Sequence, residues 1–183
     1  MKKITIAASL ILLSVISGVA QSECTRHVET KGGFSYCPPP GWYSKEPIDG
    51  GQYMTFRIQD EIAQKAGFGA NLNVKDGMTN ASNDEVVVAA LIALFAENEK
   101  PGPEAKKISL VGLTKVSTIS GLKGSRIVLQ TEYKGWLIRT IQFLIDLPDR
   151  KLILTGTSLV SDKSTIDPLF DGVARSVKLI VKQ

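Results

Sequence analysis

The 183-residue chain has one histidine, two cysteines and two tryptophans, and aromatic residues make up only 7% of it. With His27 alone there is no His-Glu-x-x-His zinc motif, and no second ligand stands at metal spacing on its own strand. A Ser-His arrangement would have to use His27 itself, which lies near the N-terminal end and reads as an exposed bystander in a short hairpin. Gly-x-Ser-x-Gly, a phosphate-binding glycine loop with lysine, and a calcium loop are also missing. Glu132 and Asp146 fall far apart along one hairpin, too far for the paired carboxylates of a glycosidase. The residues therefore offer no catalytic set, no metal site and no cofactor site.

Nor does the chain carry a large excess of charge. It has 22 basic and 18 acidic residues, a balance of +4. Lys2 and Lys3, an apolar run from Ile4 to Ile16, and the small residues Gly18 and Ala20 make the three-part layout of a signal peptide, with cleavage expected after Ala20. That run is shorter than the roughly 20 residues a membrane span requires. Glu23 occupies a place where lipid attachment at Cys24 would call for a small residue, which argues against a lipoprotein. Removing residues 1–20 takes away two lysines and no acid, so the balance falls to +2. A nearly neutral chain gives no electrostatic case for nucleic acid or for an anionic membrane. The expected product is periplasmic or secreted, has no membrane span, and forms a single domain over residues 21–183 that buries about 70% of its unfolded surface.

Cys24 and Cys37 flank a plausible hairpin that turns at Lys31-Gly32-Gly33. In an oxidising compartment this favours a cross-strand disulfide over two free thiols or half a metal site with His27, and such a bond adds about 3 kcal/mol by chain entropy.

The dominant pattern lies between Arg126 and Val160. Three runs rich in Ile, Leu, Val, Thr and aromatics are joined by Lys134-Gly135 and by Pro148-Asp149, which predicts an antiparallel meander with two tight turns. Tyr133 is expected opposite Trp136, and Asp146 opposite Lys151. One face then carries Leu129, Thr131, Tyr133, Trp136, Ile138, Leu144, Ile153 and Leu159. The other carries Val128, Ile141, Phe143, Ile145, Leu152, Leu154 and Val160. Both faces are apolar, so both are expected to be covered, at least in part. Gln130, Glu132, Arg139 and Ser158 fall together on the second face as the sheet's one polar concentration. They read either as a binding surface or as a cross-strand Arg139–Glu132 pair contributing about 0.2–1 kcal/mol.

Before the meander, Pro38-Pro39-Pro40-Gly41 makes a rigid exit from the hairpin, with Trp42 and Tyr43 as core plugs. Strands are expected over Tyr53 to Ile58, Ala70 to Val74 and Lys106 to Thr118. Asn80-Ala81-Ser82 fits a glycosylation acceptor, which matters only in a eukaryotic host. Asn83 caps an expected helix over Asp84 to Glu99 that ends at Pro101-Gly102-Pro103. Its middle is apolar on almost every side, which suits a deeply packed helix or one that offers a surplus face to a partner or lipid. A second helix is expected to start at Asp167-Pro168, with Leu169, Phe170, Val173 and Val177 as its apolar stripe.

This order of elements, the Phe/Tyr-Pro-Gly-Trp signature between Phe34 and Trp42, and the closing stretch Phe170 to Ser176 resemble the PsbP-like domains, including bacterial DcrB-like proteins. The resemblance implies an α+β fold with a central antiparallel sheet of six to eight strands flanked by helices on both faces. It also implies a role as assembly factor, accessory subunit or adaptor without catalysis, with another envelope or secreted protein as partner. Two alternatives stand beside it. One is small-molecule or lipid binding between sheet and helix near Trp136, and the other is a hydrolase using a carboxylate near Arg139.

Overall fold

The computed structural model describes residues 24–45, 54–59, 61, 63, 67–77, 93, 107–133 and 135–180. The expected signal peptide, the glycosylation acceptor and the helix over 84–99 lie outside them, apart from Ala93, which is helical and exposed.

The meander is present in the expected register. β7 (Lys123–Tyr133), β8 (Trp136–Asp146) and β9 (Lys151–Leu159) pair in sequence, with Tyr133 opposite Trp136 and Asp146 opposite Lys151. Gly135 turns between β7 and β8 at φ 80°, a conformation a β-carbon would disfavour. On one side β6 (Lys107–Ser117) extends the sheet by pairing with β7. On the other side β5 (Asn71–Asp76), β4 (Met54–Arg57) and β3 (Tyr43–Lys45) add in turn to β9, giving seven strands in the order β3-β4-β5-β9-β8-β7-β6. All these pairings are antiparallel.

The N-terminal hairpin does not join this sheet. β1 (His27–Glu29) and β2 (Phe34–Tyr36) pair with a short final strand, β10 (Lys178–Leu179), as a separate three-stranded sheet. The physical reason lies at Pro38-Pro39-Pro40. Prolines lack the N–H that a ladder needs, so pairing stops and the chain changes layer. Cys24 and Cys37 are bonded, with their Cα atoms 5.8 Å apart.

After β9 a single 3-10 turn (Val160–Asp162) leads into helix α1 (Lys163–Ser176). The helix thus begins four residues before the expected Asp167-Pro168 start. Asp162 stands at its N-cap without a side-chain capping bond, Pro168 is inside it, and Asp167 is free to act elsewhere. Val177, expected in its stripe, is the C-cap.

α1 and the small sheet cover the same face of the large sheet. Ile166, Phe170, Val173 and Ala174 meet Val128, Ile141, Phe143, Ile145, Leu152 and Leu154, while Phe34 and Tyr36 reach Phe56, Leu72 and Val74 from the hairpin. The apolar set expected on that face is therefore the main core. The opposite face has buried positions too, at Ile127 and Leu144, packed against Leu129 and Ile153. Trp42 stacks edge-on against Phe170, with ring centres 5.9 Å apart.

Gly156 lies between Leu72 and Ile141 in the middle of this core. A β-carbon there would sit 2.4 Å from Cδ2 of Phe170, itself 1% exposed and walled in. Gly156→Ala should therefore destabilise the fold by about 1–3 kcal/mol, read from urea unfolding, because the Phe170 ring has nowhere to go. A loss below about 0.5 kcal/mol would show that the ring is free to shift.

Tyr36 is fully buried and its hydroxyl has no hydrogen-bond partner among the described residues. Burial first, and then the carboxylate of Glu29, push its pKa upward. The unfolded chain then ionises at about pH 10 while the folded one keeps its proton, so stability is fully present below that pH and is lost above it. We expect a loss of about 1.4 kcal/mol from this group at about pH 11 relative to about pH 9. Tyr36→Phe should remove that increment and be at least as stable at the lower pH, since no orphaned hydroxyl remains.

Candidate functional site

Two regions around α1 concentrate polar chemistry. The first is its sheet-facing edge. Asp167 and Asp171, one helical turn apart, point toward two cations that the antiparallel register sets on neighbouring strands, Arg126 on β7 and Arg139 on β8. Arg139 donates to both Asp167 oxygens at 2.8–3.1 Å. Arg126 donates to Asp171 at 2.8 Å and reaches Asp167 at 3.5 Å, with its guanidinium carbon 5.9 Å from the centre of the Phe143 ring. Side chains of Arg139 and Asp167 are only 11% and 15% exposed. This is a two-Arg, two-Asp seam that fastens helix to sheet.

The residues singled out from the sequence lie around this seam. Gln130 pairs with Arg139 across β7 and β8, and Ser158 pairs with Arg139 across β8 and β9. Ser158 is 1% exposed, and its hydroxyl has no hydrogen-bond partner among the described residues. Glu132 is exposed and sits opposite Leu137 on β8 and Lys107 on β6. Arg139 gives its charge to Asp167 rather than to Glu132. The sequence signal for that pairing was Asp167 four residues before Asp171, which reads first as a helix cap. His27 is not the exposed bystander expected. It is partly buried, with its ring 5.2 Å from Tyr36 and 6.0 Å from Phe56, and its Nε2 3.8 Å from Glu29. Trp136 is partly exposed, beside Gly67.

The second region lies at the C-terminal end of α1, where a helix leaves backbone carbonyls without partners. Here each is taken up. The Ser176 hydroxyl donates to the Val173 carbonyl at 2.7 Å, and the Val177 N–H reaches Ala174 at 3.4 Å. The Ile119 N–H donates to Arg175 at 2.8 Å, and Arg26 Nη2 donates to Ser176 at 2.6 Å. Arg26 also donates to the Ser35 hydroxyl and carbonyl, and weakly to the disulfide sulfur of Cys37. A cation at the negative helix end is favourable, and partial burial lowers the Arg26 pKa from its ordinary value. The Cys37 N–H closes the set by donating to the Ser176 hydroxyl at 2.7 Å.

These bonds frame a groove of about 970 Å³. The Cys24–Cys37 bridge and Pro38-Pro39-Pro40 form one wall, Ile119 and Ser120 another, and α1 lines it with Leu169, Gly172 and Val173. Its described lining residues include two cations, Arg26 and Lys178, and no acid. The hydroxyls of Ser120 and Ser176 are spent on the Val177 and Val173 carbonyls. A β-carbon at Gly172 would meet no described residue within 4 Å, so packing among the described residues does not require this glycine. Among the described residues no three His, Cys, Asp or Glu side chains cluster as metal ligands, and no helix is long and apolar enough to cross a membrane.

A seven-stranded antiparallel sheet, a helix crossing one face and an N-terminal hairpin beside it define the class: the chain has a PsbP-like α+β fold. It is similar to the solution structure of cyanobacterial PsbP (CyanoP) from Synechocystis, with TM-score 0.64 and 15% identity, covering 91% of this chain and 98% of that one. It is also similar to LpqN of Mycobacterium tuberculosis, described as involved in cell envelope biogenesis, with TM-score 0.59 and 12% identity over 85% of this chain and 90% of that one. At such identities the likeness is one of fold. No family model matches the sequence, and comparison with curated proteins finds no match.

The seam is testable by a double-mutant cycle. Arg139→Ala and Asp167→Ala should each cost about 2–4 kcal/mol, because each leaves a poorly hydrated opposite charge behind. Their coupling should be about 1.5–3 kcal/mol by urea unfolding, and a value near zero would make the pair an ordinary surface contact.

Proposed function

We propose that the protein is a non-catalytic, extracytoplasmic binding or assembly-accessory protein, exported as a single domain, that holds a protein partner in the groove beside the end of α1. The observation that carries this reading is the groove's construction. Its walls are fastened by a disulfide and by the bonds that satisfy the helix terminus, its serine hydroxyls are already engaged, and Gly172 leaves open space at the helix surface. A helix glycine costs about 1 kcal/mol relative to alanine. Keeping one where no described residue presses on it suits close approach by a partner.

Support for location outside the cytoplasm comes from the signal-peptide pattern of residues 1–20 and from the Cys24–Cys37 bond, which persists in oxidising compartments. The fold shared with an envelope-biogenesis protein is in keeping with it. A helix over the far face of the sheet, above Ile127 and Leu144, remains part of the proposal. The groove is preferred to the cluster of Gln130, Glu132, Arg139 and Ser158 as the contact surface, since Arg139 is neutralised by Asp167 and Ser158 is buried.

Crosslinking in the native envelope or secreted fraction, followed by co-purification, tests the reading. Wild-type protein should bring down a stoichiometric partner. Gly172→Leu, which fills the groove while raising helix propensity, should lose that partner with an unchanged or higher thermal midpoint. Absence of any partner with the wild type, or one retained fully by Gly172→Leu, would sink it.

A further inference from the structure

The chemistry of the groove narrows what its partner presents, and this step rests on the binding role proposed above. Charge comes first. Arg26 is held by a hydroxyl, two carbonyls and a sulfur, none of them ionised at neutral pH, so its positive charge meets no carboxylate among the described residues. Lys178 lines the same groove, exposed on β10, and has no ion-pair partner among the described residues. Arg126, Arg139 and Arg150, by contrast, are each paired with acids, the first two in the seam and the third with Asp76 and Asp149. Two cations and no acid among the described lining residues favour an anionic group by charge complementarity.

Shape comes next. Pro40, Gly41, Ile119, Pro168 and Lys178 are exposed along the rim, and Ile119 is 70% so, which leaves the groove open along its length. A small-molecule site buries most of its ligand, about 70–90% of the surface. An open channel instead fits a chain that runs through it. The proline wall offers carbonyls but no N–H, so the visitor cannot add to it as a β-strand and is read through its side chains. Leu169, Ile119 and the prolines supply apolar contact, and Gly172 lets a backbone pass close to the helix.

We propose that the groove takes an extended peptide segment of the partner in which an acidic side chain is flanked by apolar ones, the carboxylate lying against Arg26 and Lys178. Fluorescence anisotropy with short labelled peptides alternating Leu and Glu, Leu and Gln, or Leu and Lys tests this on the purified protein. The Leu/Glu peptide should bind about tenfold more tightly than the Leu/Lys one and weaken as salt rises. Gly172→Leu should abolish binding, and Lys178→Glu should weaken it by about tenfold while leaving the thermal midpoint unchanged. Arg26 is a poorer probe, since it also caps the helix, so Arg26→Lys serves only to show that charge is retained.

Equal binding of the three peptides, or binding indifferent to Gly172→Leu, would overturn the proposal. So would sedimentation with phosphatidylglycerol vesicles that Gly172→Leu abolishes, without any peptide preference, since it would assign the groove to a membrane surface. If no peptide binds while the crosslinked partner still depends on Gly172, the acidic-peptide step fails and the accessory role stands; if both fail, so does the role.

Discussion

The contact between the Phe170 ring and Gly156 sets the geometry on which the rest of the molecule depends. Only glycine leaves room for an aromatic ring to lie flat on a central strand, and that seat brings α1 down onto the row formed by Leu72, Gly156, Ile141 and Val128. Once the helix is seated, Asp167 and Asp171 come within reach of Arg139 and Arg126, and the helix azimuth is held by both packing and charge. Packing supplies most of the free energy, since apolar burial contributes about 25 cal/mol per Å² whereas partly buried ion pairs mainly select one arrangement.

Seating the helix also creates a problem at its C-terminus, where the last carbonyls would otherwise be stranded near the core. They are satisfied by two distant parts of the chain, at Ile119 and Arg26, and locally by Ser176 and Val177. The disulfide hairpin is drawn in by the same bonds, because Cys37 donates to Ser176 and Arg26 bridges Ser35 to the helix end. The groove is the space left between these elements after every terminal carbonyl has found a donor. Its cationic character follows from structure as much as from recognition, for a positive charge belongs at the negative end of a helix. What helix capping does not explain is the open face at Gly172 and the charge of Lys178, which has no ion-pair partner among the described residues.

The small sheet shows a further consequence of proline chemistry. Three consecutive prolines end the ladder of β2, so the hairpin cannot continue into the large sheet and instead receives β10 along its other edge. That layer change leaves Tyr36 and His27 packed against Phe56 at the junction of the two sheets, with polar atoms of both lacking a hydrogen bond among the described residues. A larger, purely apolar contact would be more stable. Burial there, with the Glu29 carboxylate beside it, disfavours the ionised form of Tyr36 and raises its pKa.

The meander was legible from local rules alone. Turn residues at 134–135 and 148–149 set the register, and with a period of two the register decides every face, so Val128, Ile141, Phe143 and Leu154 were placed on one side before any contact was known. The disulfide was legible in the hairpin that the two cysteines flank, and the PsbP-like fold in the resemblance carried by the order of elements and short motifs. Three things were not. The helix starts a turn before Asp167-Pro168 because a proline is tolerated early in a helix, which makes it a poor marker of the first residue. The partner of Arg139 was assigned to nearby Glu132 when it is Asp167, which only the seating of α1 brings close. The groove is built from residues around positions 24–41, 119–120 and 168–178, whose nearness depends on three elements packing together. Local sequence thus determined strands, turns and faces through short-range sterics and hydrogen bonding. Tertiary structure alone decided which charges meet and where a partner fits, because those depend on distances between segments that no local period encodes.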